Sequence, residues 1–199
     1  MTSIYFVRHA QPDEKCKDDR TKPLTPLGIN DRQEVTKLFS DIQVDKFISS
    51  PYKRSYDTIA DCANTKGMII STDERLRERD QGISSIKFLE KRWDDFDFCE
   101  EGGETIRSLQ QRNIEALKEI LQEYNGMNIV IGTHGAALSS IMNYFDSSFG
   151  CNWFKKIWFC MPYVIRLDFN NWDLIGSEEL LSLERGYTNF GPFQIRVEK

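Results

Sequence analysis

The chain has 199 residues, of which 40% are hydrophobic and 29% charged. That is enough apolar material for a core, so global disorder is excluded, and the length favours one compact domain over residues 1–199. Twenty-six Lys and Arg against 31 Asp and Glu give a net charge of −5; this balance argues against non-specific nucleic-acid binding, which needs cationic surface to displace counterions, but leaves room for a local basic pocket.

In chain order, the apolar run Ile4 to Val7 ends abruptly at Arg8-His9 and reads as a buried strand. The polar stretch 10–24 reads as a surface loop. Thr25-Pro26 supplies an N-cap and an N1 proline, and Leu27, Val35, Leu38 and Phe39 give a helix ending near Ser40. Lys46 to Ser49 forms a second strand, followed by Ser50-Pro51 with the same cap-and-proline pattern and a helical face of Tyr52, Tyr56, Ile59, Ala60 and Ala63. Met68 to Ser71 is a third strand, leading into the charged segment Asp73 to Asp80. Residues 85–98 hold a short helix anchored by Phe88, Trp93 and Phe96, and Gly102-Gly103 breaks the region.

A long amphipathic helix is predicted from Glu104 to Tyr124, with Ile106, Leu109, Ile114, Leu117, Ile120 and Leu121 inward and Asn125-Gly126 as its stop. Asn128 to Thr133 is the clearest buried strand, and His134-Gly135 opens another helix through Phe145. Trp153, Phe154, Trp158 and Phe159 read as packing residues. Tyr163 to Phe169 and Trp172 to Ile175 alternate as two strands joined by a turn at Asn170-Asn171. This alternation of strands and helices predicts the α/β class with a mainly parallel sheet.

No stretch approaches the roughly 18 uncharged apolar residues that span a bilayer, and the apolar start is too short for a secretory signal. The five cysteines (16, 62, 99, 151 and 160) are scattered and contain no C-x-x-C pair. Disulfide frameworks and zinc ribbons both fit poorly, whereas reduced thiols in a cytoplasmic protein fit well. No membrane partner is expected.

The chemistry concentrates at strand ends. The only two histidines, His9 and His134, each follow a predicted strand, and ligands of open α/β sheets bind beyond the carboxyl ends of the strands. Arg8 precedes His9, Arg54 follows the second strand, and Arg75-Leu76-Arg77-Glu78-Arg79 follows the third. Guanidinium groups and the helix N-terminus at Gly135 are usual binders of phosphoryl oxygens, a histidine can attack phosphorus, and a glutamate can protonate a leaving alcohol. Taken together, they point to phosphoryl transfer through a phosphohistidine. Taken singly, each has an ordinary structural explanation: a strand-end histidine as a hydrogen-bonder, Arg8 or Arg54 as a salt-bridge partner, Glu78 as part of an exposed charge run.

Longer motifs carry a family resemblance. Phe6-Val7-Arg8-His9-Ala10 resembles the Arg-His-Gly signature of the histidine phosphatase superfamily, the phosphoglycerate mutase-like proteins. In the same order come Leu24 to Gly28, the Ser49 to Thr58 segment with Arg54, Leu76 to Gly82 with Glu78, Gly103-Glu104-Thr105, and Gly132-Thr133-His134-Gly135, all similar to family elements. The resemblance implies a three-layer α/β/α sandwich. It implies His9 as the phosphoaccepting nucleophile, Arg8, Arg54, His134 and Gly135 as the phosphate site, and Glu78 as proton donor and later base. It implies no metal and no cofactor, and a small phosphorylated metabolite as substrate. Arginines beside His9 disfavour imidazolium, and His134, if cationic or donating, stabilises the equatorial oxygens. Glu78 can donate only if Arg77 and Arg79 point away or are neutralised by Asp73, Glu74 or Asp80.

Three departures from the pattern bear on function. Ala10 stands where the family usually has Gly, and loop 11–22 lacks the Ser/Thr and Asn contacts of typical mutases. The stretch between Gly82 and Gly102 is shorter than the mutase insertion whose basic residues grip a carboxylate, with Lys87, Lys91 and Arg92 offering a reduced version or simply a solvated helix face. A phosphatase is therefore expected over a mutase, and retention of His9, Arg8, Arg54, Glu78 and His134 speaks against a non-catalytic phospholigand-binding module.

Overall fold

The computed structural model describes residues 1–83 and 86–185, so the single-domain reading of 1–199 and the first residue of the 85–98 segment extend over positions outside the described residues. Six strands form one sheet: β1 (Thr2–Arg8), β2 (Lys46–Ser49), β3 (Ile70–Thr72), β4 (Asn128–Thr133), β5 (Cys160–Asn170) and β6 (Asp173–Glu184). Their order is β3-β2-β4-β1-β5-β6. The first four strands in that order run parallel, and β5 and β6 add antiparallel at one edge.

The helices are α1 (Pro26–Leu38), α2 (Lys53–Thr65), α3 (Leu89–Asp94), α4 (Ile106–Glu123), α5 (Gly135–Phe145) and α6 (Cys151–Trp158). Strand side chains alternate between two cores. Ile4, Phe6, Ile48, Ile129 and Ile131 meet α4, α5 and Ile157 of α6 on one face. Tyr5, Val7, Phe47 and Val130 meet Val35 of α1 and Ile59, Cys62 and Ala63 of α2 on the other. The architecture is thus the expected three-layer α/β/α sandwich. Among the described residues no helix is long and apolar enough to cross a membrane.

Two features of the frame set the site. The β1–β4 register pairs Arg8 with Thr133, so His9 and His134 emerge side by side, and His9 N–H donates to Thr133 O at 3.2 Å. Gly28 in α1 lies so close to Gln11 that an added Cβ would stand 2.4 Å from the Gln11 carbonyl oxygen. The N-cap Thr25 hydroxyl accepts from Gly28 N and donates to the Gln11 side chain, which fixes the chain just after His9.

The boundaries depart from expectation at several places, β3 among them, which runs Ile70–Thr72 where Met68 to Ser71 was expected. Helix α2 starts at Lys53 with Tyr52 as an extended N-cap and no side-chain cap bond. The Ser50 hydroxyl expected to cap it instead bonds His134 and Tyr52 N–H. Helix α6 was not anticipated, because its aromatic and lysine residues read only as packing. Strand β6 runs to Glu184, well past Ile175; register shifts in the β5–β6 pair break the two-residue period on which a strand reading depends. The turn falls one residue later than expected, at Asn171-Trp172 between the paired Asn170 and Asp173, with Asn171 at φ 53.

Candidate active site

The C-terminal ends of β1, β2 and β4 open into a cleft of about 680 Å³ lined by Arg8, His9, Arg54, Glu78 and Gly135 among others. His9 is buried and its Nδ1 lies 2.8 Å from Ala10 O. A carbonyl only accepts, so Nδ1 carries the ring proton and the lone pair falls on Nε2. Burial first, then the charges of Arg54 and Arg8, push the His9 pKa well below the usual 6.5, and the ring is neutral. Thr58, one helical turn after Arg54, accepts from Ala10 N–H at 2.9 Å and donates to Arg54 O at 2.7 Å. It therefore ties the peptide after His9 to the helix that carries Arg54.

His134 is fully buried, 5.4 Å from His9 and 5.3 Å from Tyr52 between ring centroids. Its Nε2 lies 2.7 Å from Ser50 Oγ, while Nδ1 is buried without a partner among the described residues. Burial, followed by Arg54, His9 and Arg8, lowers its pKa well below 6.5, so of the two anticipated forms the cationic one does not apply to the unliganded site.

Arg8 Nη1 donates to the carbonyls of Ile157, Trp158 and Cys160 at the C-terminal end of α6. Cations are favoured there because the last carbonyls of a helix lack intrahelical donors. The unanticipated helix is thus what aims Arg8. Arg54 is 4% exposed and meets Asp19 through both the backbone carbonyl and the carboxylate.

Glu78 Oε1 accepts from Arg79 N–H at 2.9 Å and Ala137 N–H at 3.1 Å, and Oε2 accepts from Ala136 N–H at 3.1 Å. At the N-terminus of α5 two first-turn amides, those of Ala136 and Ala137, serve Glu78, and Gly135 and Ala136 line the cleft. A Cβ at Gly135 would come within 3.3 Å of Arg8 Nε. Arg77 and Arg79 are indeed neutralised, but by Glu104 at 3.1 Å and Glu100 at 3.5 Å. Asp73 and Glu74 instead hold Arg75 and Arg20.

The segment after Glu78 is closed by Gly82. At φ +56, its Cβ would stand 2.4 Å from both Glu101 O and Gly103 N, so only glycine lets the two ends of loop 83–101 meet this closely. Of the three basic residues singled out there, Lys87 and Lys91 are exposed. Arg92 is buried, reaches the cleft wall and is held by Glu100, with Nε at 2.8 Å.

Sequence reasoning missed Ser50, Thr58, Tyr52, Asp19, Arg79 and the cleft-lining faces of Phe154 and Trp158. Ser50, Tyr52 and Thr58 lie inside the motif read for Arg54, and the four-residue step from Arg54 to Thr58 was a usable signal. Asp19 carries no local signal, because its partner is 35 positions away. Among the described residues no group of three or more His, Cys, Asp or Glu side chains could hold a metal ion.

Neutral imidazoles, buried guanidiniums and a carboxylate gathered where parallel strands end suit one class of ligand, a tetrahedral oxyanion on a group that can be displaced. The chain belongs to the histidine phosphatase superfamily (branch 1), whose family model matches residues 4–158. It is 27% identical over 164 residues to the probable phosphoglycerate mutase GpmB of Salmonella choleraesuis, spanning 72% of this chain and 74% of that protein. Its fold is similar to a mycobacterial glucosyl-3-phosphoglycerate phosphatase solved with inorganic phosphate (TM-score 0.70, 17% identity, 93% of this chain and 97% of the other). It is similar also to a phosphoserine phosphatase mutant from Entamoeba histolytica in complex with phosphoserine (TM-score 0.71, 19% identity, 89% and 96%).

Proposed function

We propose that the protein is a metal-independent phosphatase that hydrolyses a small phosphomonoester through a phosphohistidine at His9. The observation that carries this reading is the state of His9: buried, neutral, with its proton held on Nδ1 by Ala10 O and its Nε2 lone pair left for attack, between two arginines. Nε2 forms the bond to phosphorus as the ester P–O bond breaks. Glu78, on the cleft wall, delivers a proton to the leaving oxygen. Its carboxylate is then received by the three amide donors around it and takes a proton from the water that attacks phospho-His9, releasing inorganic phosphate. Arg8, Arg54, His134 and the Gly135 end of α5 hold the phosphoryl oxygens through transfer. The buried, partnerless Nδ1 of His134 supports a ligand-dependent role, since such an atom is costly without a partner.

A mutase reading has one observation in its favour, the likeness to a probable phosphoglycerate mutase. Against it, of the basic residues described in the short loop after Gly82, Arg92 reaches the cleft wall, and Glu100 already engages it. Five free cysteines fit a reducing compartment, and we place the enzyme in the cytoplasm. The test is a screen of phosphorylated metabolites for phosphate release, run with and without a bisphosphorylated primer. Primer-independent release supports the phosphatase, and primer-dependent isomerisation would replace it with the mutase.

A further inference from the structure

We propose that Asp19 is an internal competitor for the phosphoryl site: it holds the Arg54 fork and has to yield it before a phosphate ester binds. The inference rests on Arg54 being a phosphoryl ligand. Arg54 Nη1 donates to Asp19 O at 2.6 Å and lies 3.2 Å from Oδ1, while Nη2 donates to Oδ2 at 3.2 Å. The carboxylate therefore spans the Nη1–Nη2 edge of the guanidinium, an edge that suits bidentate binding of a phosphoryl group. Asp19 lines the cleft with the other site residues.

Three further observations make this an exchange rather than a fixed support. Arg54 is 4% exposed and cannot leave, whereas the Asp19 side chain is 38% exposed and enters water at little cost. A second cation waits for it: Lys22 Nζ is 3.3 Å from Asp19 Oδ1 and also reaches Glu14 at 3.0 Å. The surrounding loop is pinned independently, by Lys53 N–H to Arg20 O at 2.9 Å and Asp13 N–H to Pro23 O at 2.8 Å. Release is therefore a side-chain event, and the Asp19 carbonyl can keep Arg54 aimed throughout.

Calorimetric titration of the full chain with inorganic phosphate tests the proposal, using wild type, Asp19→Asn, Asp80→Asn, Arg54→Ala and the Asp19→Asn/Arg54→Ala double variant. Asp80 also lines the cleft, so its variant measures what removing any nearby negative charge does. Asp19→Asn is expected to bind phosphate about tenfold tighter and Asp80→Asn less than about threefold tighter. The gain from Asp19→Asn should vanish when Arg54 is absent. If Asp19→Ala is the variant that folds better, it serves in the same place. Binding lost in Arg54→Ala but unchanged or weaker in Asp19→Asn overturns the competitor and makes Asp19 a support. An equal gain from both acid variants also overturns it. Undiminished phosphate binding by Arg54→Ala would instead remove Arg54 from the phosphoryl site, a separate failure of the functional reading.

Discussion

Replacing Glu78 by Gln separates two tasks of one carboxylate, the capping of α5 seen in the structure and the proposed protonation of the leaving group. The side chain accepts three backbone N–H bonds, two on Oε1 and one on Oε2. Glutamine has the same shape but keeps one acceptor oxygen, so at least one buried amide faces an NH₂ group and loses its partner. An orphaned buried donor costs about 1–3 kcal/mol, and the lost charge at the start of α5 adds about 0.3–1 kcal/mol. Urea denaturation of Glu78→Gln should show that combined loss. Its kinetics should depend on the leaving group, because an alkoxide needs a proton and p-nitrophenolate does not. The variant should slow an alkyl phosphate by about 10²–10⁴-fold and p-nitrophenyl phosphate by less than about tenfold, each compared with wild type on the same substrate. Equal slowing of both would refute the acid role. Glu78 would then be a cap for α5, and the proton would have to come from Asp80 or Glu14, which also line the cleft.

Arg54→Ala should lower kcat/KM by on the order of 3–4 kcal/mol, with Lys recovering only part because it lacks the planar fork; full recovery by Lys would reduce Arg54 to a point charge. Because the His9 pKa lies well below 6.5, kcat/KM should show no acid limb centred there, and a titration at 6.5 that disappears in a His9 variant would contradict the neutral-nucleophile assignment. The same shifts act on stability. Both histidines take up protons in the unfolded chain as pH falls through about 6.5 but stay neutral when folded, so their contribution is complete above that pH and is lost progressively below it. The urea midpoint at about pH 5.5 should therefore be lower than at about pH 7.5, and an equal or higher midpoint would contradict the buried neutral pair. Dialysis against EDTA should leave the rate unchanged, whereas loss restored by a divalent cation would require a metal-dependent step.

Regular burial made much of the frame legible from sequence. The bounds of β2 and β4 and all six inward residues predicted for α4 follow from short apolar runs and a clean helical period. The strand-end rule put His9 and Arg54 at the cleft and His134 buried beside them, 5.4 Å from His9 between ring centroids. Pair partners were out of reach: Arg8 is aimed by carbonyls about 150 positions away, and Glu78 caps a helix 58 positions on. Neither contact leaves a periodic trace, because each depends on which elements the sheet order brings together. The arginines flanking Glu78 show the same limit. Nearby acids in sequence were the natural candidates to neutralise them, but the cluster is closed by Glu100, 21 positions on from Arg79, and Glu104, 27 on from Arg77. Strand β6 was hidden differently, by register shifts that reset the alternation.

The central claim is that His9 accepts the phosphoryl group, and trapping tests it most directly. The enzyme is mixed with a turned-over phosphomonoester, denatured in alkali and mapped by mass spectrometry of its peptides. The account predicts an acid-labile, base-stable phosphoryl group on His9 that turns over with substrate and is absent from folded His9→Ala, whose rate falls by several orders of magnitude. Activity retained by folded His9→Ala, or a phosphoryl group trapped on another residue, would contradict it.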